Sequence, residues 1–275
     1  EKLFATLRAH AASGGAGVIV VAGQGTRARI LERLRDAEVP AGELEPGEGP
    51  RAGIVGVLRG SLQTGLTVPA EKVFAKPPAL GFAEAANLLL AGATAADLLR
   101  VARVTNGDTI LLHAASGAVG VAVLQLARRV GATVIGTAGP TGLARVERFG
   151  GVAVPYGEGL LGRIEDAAPQ GISVALDAAG TDEAIDASLS LVFDRSRIVT
   201  IAAQHRATAD GLVAIGGNQP ESLAFRDEIR GELVQLAARG ELAVPVAQTF
   251  PLSDAVNALA LVASGRAGGK VALLT

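Results

Sequence analysis

Three small residues at fixed spacing, Ala115-x-Gly117-x-x-Gly120, are the part of this 275-residue chain best suited to chemistry. An apolar run, Thr109-Ile-Leu-Leu-His113, leads into them, and Val121 to Val130 follows with helical spacing. A strand, a tight turn and a helix in that order make an anion cradle, because the first N–H groups of a helix have no partner within it. Gly117 lets backbone come close to a pyrophosphate, and Gly120 lets the helix lie against the strand. Alanine stands where the G-x-G-x-x-G fingerprint has its first glycine. A second apolar strand, Ala132 to Gly136, lies just beyond. The chemistry implied is dinucleotide binding, with Ala115, Ser116, Gly117, Ala118, Val119 and Gly120 as candidate contacts.

The rest of the reactive inventory is thin. No cysteine is present, which excludes disulfides and thiolate metal sites, and His10, His113 and His205 have no metal-ligand spacing. No metal site is expected. His113 stands at a strand end beside the turn and reads as a packed or backbone-bonded histidine before a catalytic one. Asp177 ends an apolar strand where ligands bind in open α/β sheets, with helix capping as the competing role. Gly23-Gln-Gly25 also follows a strand, but lacks the third glycine and the Lys-Ser/Thr pair of a phosphate loop, and reads as a structural turn. No acid/base pair or nucleophile emerges, so no catalytic residue is named.

The elements that must carry these residues alternate. Helical spacing over 1–12 precedes a buried strand, 17–22, and a helix, 26–36. Residues 39–53 are rich in Pro, Gly and Glu and read as an exposed connection, followed by a short strand at 53–58. Pro77-Pro78 breaks regular structure, and 82–104 is helical in pattern with a break near Gly92. Beyond the turn, helices over 121–130, 143–149, 160–168 and 182–192 are followed by strands at 132–136, 152–154, 172–176 and 197–202. The segment 206–221 reads as irregular and 222–239 as one long helix. A mixed end holds 244–250, a helix over 252–264 and a strand over 271–274. This alternation argues for an α/β, doubly wound parallel sheet of Rossmann type with a small N-terminal α/β segment.

Composition sets the outer limits. With 49% hydrophobic residues the chain is long enough for one large or two ordinary domains. A net charge of −2 gives no electrostatic case for nucleic acid or a membrane surface. No leading signal segment is visible and no apolar run reaches the ~20 residues of a membrane helix, so a soluble, cytoplasmic protein is expected. Methionine and tryptophan are absent and there is one tyrosine, which hints at an edited, truncated or joined chain.

Two resemblances follow from quoted residues. Val18-Ile-Val-Val-Ala-Gly-Gln-Gly-Thr, Glu45-Pro-Gly and Gly53-Ile-Val-Gly-Val-Leu-Arg-Gly-Ser-Leu62 make residues 1–66 similar to the UvrB-related module of the transcription-repair coupling factor. That likeness implies a piece of an interaction scaffold without the ATP-hydrolysing motor. Residues from about 67 to 275 resemble the quinone-reductase branch of the medium-chain dehydrogenase/reductase superfamily, with a core at about 95–240. The matching stretches are Lys72-Val-Phe-Ala-Lys-Pro-Pro, Gly92-Ala-Thr-Ala95, Gly107 through Gly120, Val134-Ile-Gly-Thr137, Val154-Pro-Tyr156, Leu176-Asp-Ala-Ala-Gly180 and Gly269-Lys-Val-Ala-Leu273.

The second resemblance implies zinc-independent reduction of a quinone, enone or similar small-molecule acceptor by NADPH, with a homodimer among the assemblies it admits. It places Thr94 near the nicotinamide, against a hydroxyl bonded back to its own helix. It places Tyr156 beside the adenosine end, against simple packing. Cofactor choice is also argued from the second strand, whose end, Thr137-Ala138-Gly139, has no acid to hold the ribose hydroxyls of NAD and repel the extra phosphate of NADP. Arg145 and Arg148 follow, and NADP(H) is therefore expected, with Arg145 as the candidate and solvated helix charges as the alternative. Leu143 stands near where the family often has lysine, which weakens the NADP argument. The family places a longer barrel-like catalytic domain before the Lys72-Val-Phe stretch. The expectation is therefore either an active reductase or its cofactor-binding part, binding without turnover. A non-enzymatic chimera joining a repair-factor fragment to a nucleotide-binding fold is the rival.

Overall fold

The computed structural model of the chain describes residues 17–21, 41–44, 55–59, 75–216, 219–264 and 267–274. The expected helices over 1–12 and 26–36, the Gly23-Gln-Gly25 turn, His10 and the Lys72-Val-Phe stretch lie outside the described residues. The chain divides into two compact units, one of residues 1–73, 251–266 and 275, the other of 74–250 and 267–274.

In the first unit, strands β1 (Gly17–Val21), β2 (Ala41–Leu44) and β3 (Val55–Arg59) form a parallel sheet in the order β1-β3-β2. β2 falls inside the segment expected to be a connection. At a sheet edge it needs only β3 as a partner, so four residues without an apolar run suffice.

The second unit opens with α1 (Phe82–Val101), one continuous helix where a break near Gly92 was expected. It is long and apolar enough to cross a membrane by length and composition, contrary to the sequence reading, but half of that apolar stretch is buried inside the fold. Then come β4 (Thr109–His113), α2 (Ala118–Arg129), β5 (Thr133–Ala138), α3 (Leu143–Arg148), β6 (Val152–Pro155), α4 (Leu160–Ala167), β7 (Val174–Asp177), α5 (Asp182–Leu191) and β8 (Ile198–Thr200). The segment expected to be irregular contains α6 (Gln204–Asp210) and the two-residue strand β9 (Val213–Ala214). The expected long helix is two, α7 (Pro220–Glu228) and α8 (Arg230–Ala238), meeting at Ile229. β10 (Val246–Pro251) and β11 (Lys270–Leu274) pair separately, and α9 (Ala255–Ala263) belongs to the first unit.

The six strands β4 to β9 are parallel and lie in the order β6-β5-β4-β7-β8-β9. Numbered from β4, this is the 3-2-1-4-5-6 order of dinucleotide-binding sheets, with its switch point between β4 and β7. Side chains alternate across the sheet. Ile110, Leu112, Val134, Val174 and Leu176 enter one core with α1, α2 and α8, while Leu111, Ile135, Ala175 and Ile198 enter the other with α4 and α5. A continuous apolar strand such as Ile110-Leu-Leu is what burial on both faces requires. Gly92 survives inside α1 because α8 packs there: a Cβ built on it would stand 3.3 Å from a Leu233 methyl.

At the amino edge of the sheet the strands are held by one carboxylate. Asp108 accepts from Arg197 at 3.1 and 2.8 Å, from the Thr105 N–H at 2.7 Å and from the Ser173 hydroxyl at 2.7 Å. Burial alone would raise its pKa; the Arg197 guanidinium, the Thr105 N–H and the Ser173 and Thr105 hydroxyls together outweigh that and hold it well below the usual carboxylate range. Asp108 thus ties the entries of β4, β7 and β8. Asp108→Ala is expected to lose about 2–3 kcal/mol at neutral pH, the cost of a mostly buried, multiply bonded ion pair cut on one side. Because the folded-state pKa is depressed, this contribution is present above the ordinary carboxylate range and lost as pH falls below it. Urea unfolding of both proteins should therefore show a gap at pH 7 that narrows as the pH is taken below about 4, the ordinary range of a carboxyl group.

Candidate dinucleotide site

The turn behind β4 has the backbone its sequence requires. Ala114 takes φ 58°, a left-handed conformation that costs a non-glycine residue about 1 kcal/mol. That reversal brings the Ala115 N–H onto the Thr137 carbonyl at 2.9 Å and lets the Ala114 carbonyl accept from Gly117 at 3.0 Å. Gly117 is the N-cap residue of α2 and no side chain caps it. The first helical bond runs from Val121 to the Gly117 carbonyl, so the N–H groups of Ala118, Val119 and Gly120 open toward the turn.

Gly120 carries the close approach. A Cβ there would sit 2.5 Å from the Ala115 carbonyl oxygen and 2.6 Å from that of Ala114, both rigid backbone. Gly136 on β5 matters for a related reason, since its Cβ would meet that of Ala115 at 2.7 Å. The cradle is therefore one that larger residues would fill, and its donor set is what a phosphate needs.

Below the turn lies a small buried polar lattice. His113 Nδ1 is 3.1 Å from the Thr137 hydroxyl and Nε2 is 3.2 Å from that of Ser188. Ser188 donates to the Ala184 carbonyl, so its oxygen accepts from Nε2–H, and Nδ1 is left to accept from Thr137. Burial pushes the pKa of His113 down to about 4 against the opposing charge of Asp177, and the ring is neutral at neutral pH. Asp177 is fully buried, and its carboxylate accepts from the N–H groups of Ala179 and Gly180 and, at 2.6 Å, from the Thr200 hydroxyl. These bonds commit Asp177 to shaping the β7 and β8 ends, in line with the capping role the sequence left open.

At the carboxyl edge of the sheet a hollow of about 340 Å3 spans the switch point, bounded by Ala114, Thr137, Tyr156, Leu160, Ala179 and Glu183. Tyr156 is 58% exposed, and a Cβ on Gly139 would lie 2.9 Å from its hydroxyl. Of the two arginines on α3, Arg145 donates to the Ser116 carbonyl at 3.2 Å, whereas the exposed Arg148 lies over the Phe149 ring. Ser116 also sits against the loop after β5, where a Cβ on Gly142 would fall 2.4 Å from its hydroxyl.

Ala115 to Gly120, Thr137, Arg145 and Tyr156 are thus brought to one edge. Thr94 is not at the hollow. It is buried in α1, 8% exposed and without a side-chain hydrogen bond among the described residues, on the helical stripe of Asn87 and Ala91. Those two line a second hollow beside Ala118 and Lys270. Sequence reasoning missed Arg163 and Glu183, which fix the loop that carries Tyr156. Arg163 donates to the carbonyls of Pro155, Gly157 and Glu158, and Glu183 accepts from the Gly157 N–H at 3.0 Å. The glycines of Tyr156-Gly-Glu-Gly159 were the available signal for an unusual loop, in which Gly157 adopts φ 99°.

Residues 158–273 match a family described as zinc-binding dehydrogenase. The transcription-repair-coupling factor of Mycobacterium tuberculosis is 48% identical over 69 residues, 25% of this chain and 6% of that protein. The phthioceranic/hydroxyphthioceranic acid synthase of the same organism is 31% identical over 231 residues, 76% of this chain and 11% of the synthase. The chain thus spans only 6% and 11% of these two relatives. A quinone oxidoreductase of Pseudomonas aeruginosa is 30% identical over 226 residues, covering 74% of this chain and 68% of the enzyme. Two solved structures share the fold and 26% identity, each with a TM-score of 0.63. The CurK enoyl reductase covers 76% of this chain and is itself covered to 68%. The Escherichia coli quinone oxidoreductase, solved with NADPH, covers 75% and is covered to 69%.

Gly120→Val puts three carbons where 2.5 Å separates a Cβ from backbone. The variant is expected to lose dinucleotide affinity by about a hundredfold, the worth of one or two charge-assisted N–H bonds to the pyrophosphate. Equilibrium titration of variant and native chain with NADPH checks this, and unchanged affinity would misplace the site.

Proposed function

This chain belongs to the quinone oxidoreductase branch of the medium-chain dehydrogenase/reductase superfamily, and from that premise we propose that it binds NADPH and reduces a quinone or enone without zinc. The observation that carries the reading is the uncapped start of α2 behind a turn with no room for a Cβ at Gly120, at the switch point of the sheet. The N–H groups of Ala118, Val119 and Gly120 would hold the pyrophosphate. β5 ends in Thr137-Ala138-Gly139, with no carboxylate to repel a 2′-phosphate, and Arg145 stands at the turn to receive one. Tyr156 flanks the adenosine end, and Thr94 on its buried stripe is assigned to the nicotinamide side.

NADPH, when bound, supplies the hydride. The protein's share is positional, and the residues named here bind and orient without a general acid or base among them. The chain has no cysteine to hold zinc as thiolate, although the matched family is described as zinc-binding. A quinone oxidoreductase as relative and an enoyl reductase as structural neighbour support an electron-poor C=C or C=O acceptor. A second reading has its own observation. The 69-residue likeness to the transcription-repair-coupling factor favours a non-enzymatic interaction protein that joins a repair-factor fragment to a nucleotide-binding fold.

Titration with NADPH and NADH, followed by addition of a small quinone or enone, separates the readings. Binding of NADPH with acceptor-dependent oxidation is the expected result. Binding without oxidation supports the cofactor-binding part alone, and a folded chain that binds neither nucleotide sinks the reductase reading and leaves the second. Arg145→Ala should weaken NADPH about tenfold while leaving NADH nearly unchanged, the effect of one charge-assisted hydrogen bond to the 2′-phosphate.

A further inference from the structure

The hollow at the switch point has a feature that phosphate binding does not use. Its walls are largely apolar, from Leu160, Ala179 and Ala184, yet the Glu183 carboxylate stands among them. Glu183 accepts from the Gly157 N–H at 3.0 and 3.3 Å, and no cation pairs with it among the described residues. An ionised carboxylate has about four acceptor positions, so most of its capacity is open to a ligand. The same loop carries Tyr156, which also lines the hollow. Arg163 holds the carbonyls of Pro155 and Gly157 on either side of that residue, and the Tyr156 N–H donates to the Ala138 carbonyl at 3.3 Å.

One flat aromatic face, apolar walls and one anionic acceptor do not suit a phosphate, which the carboxylate repels. They suit a planar heterocycle that presents an amino group. The geometry points to Glu183 as the residue that selects the purine of the dinucleotide, accepting from the exocyclic 6-amino group of adenine while Tyr156 covers the ring. A 6-oxo purine in the same place would set a carbonyl oxygen against the carboxylate. The assignment rests on the dinucleotide reading above and adds a base specificity to it. It also orients the ligand, with the base toward Glu183 and the 2′-phosphate toward Arg145, across the ends of β5 and β6.

The test compares NADPH with its hypoxanthine analogue, reduced nicotinamide hypoxanthine dinucleotide phosphate, on the native chain and on Glu183→Gln. Nucleotide fluorescence gives both affinities. The native chain is expected to prefer NADPH by about tenfold, the worth of one hydrogen bond to a charged group. In Glu183→Gln the side-chain carbonyl can still accept from Gly157 while the amide NH2 faces a 6-oxo group, so the preference should disappear or reverse. Equal affinities in the native chain, or a variant that weakens both nucleotides by the same factor, would overturn the assignment and leave Glu183 as a loop brace. The placement has its own readout, because Tyr156 is the only tyrosine and the chain has no tryptophan. NADP+ should quench the tyrosine emission as it binds. Binding with unchanged emission would remove the base from this hollow while the dinucleotide reading stands, and absence of any nucleotide binding would end both.

Discussion

The constraint on which the second unit depends is the contact between the start of α2 and the turn that feeds it. Helix and strand meet so closely at Gly120 that two carbonyl oxygens occupy the space of a side chain. That proximity is possible only because Ala114 reverses the backbone in a left-handed conformation. A non-glycine residue held there is a local cost of the kind that collects at ligand sites. The return is a row of free N–H groups at the one point of the sheet where neighbouring strands lead away in opposite directions. Moving the helix outward to relieve the turn would remove the anion site, and filling the gap would remove the helix contact.

Such a turn needs a rigid base, and the two edges of the sheet supply it differently. At the amino edge, the buried ion pair of Asp108 and Arg197 fixes the entries of three strands, and Arg197 also donates to the carbonyls of Ala102 and Arg103. At the carboxyl edge the ties are hydroxyls, one neutral imidazole and the buried Asp177 carboxylate. Thr137 serves the turn twice, its carbonyl accepting from Ala115 and its hydroxyl bonding His113. Fully satisfied buried networks of this sort specify a single arrangement, because each member would be costly to leave unpaired. His113 and Asp177 are both buried and hydrogen-bonded within the fold, and they brace the strand ends beneath the turn.

Polarity along the carboxyl edge is divided. Cationic Arg145 stands on the turn side and anionic Glu183 on the hollow side, separated by the ends of β5 and β6. Both are held by backbone, Arg145 through the Ser116 carbonyl and Glu183 through the Gly157 N–H. On the proposed assignment, a ligand with an anionic end and an amine-bearing apolar end would be read in one direction only. Arg145 and Arg148 illustrate how fine the distinction is. They lie three residues apart on one six-residue helix, and one meets the turn while the other rests on its own neighbour, Phe149.

The order of strands and helices, the parallel sheet and the location of the turn were legible in the sequence because each rests on local patterns. Apolar alternation and helical spacing are set by the covalent geometry of the chain, and the need for glycine at Gly117 and Gly120 follows from backbone contact within a few residues. What escaped local reading depended on partners far along the chain. The continuity of α1 through Gly92 is decided by Leu233 on α8, and β9 exists because two residues find the edge of β8. β2 likewise pairs where its composition suggested a connection. The platform under Tyr156 needs Arg163 and Glu183 from two different helices, and the commitment of Asp177 needs Thr200 from the next strand. Side-chain pairing of this kind carries no periodic signal, so only tertiary structure could decide which of several equally charged or polar residues reached the site.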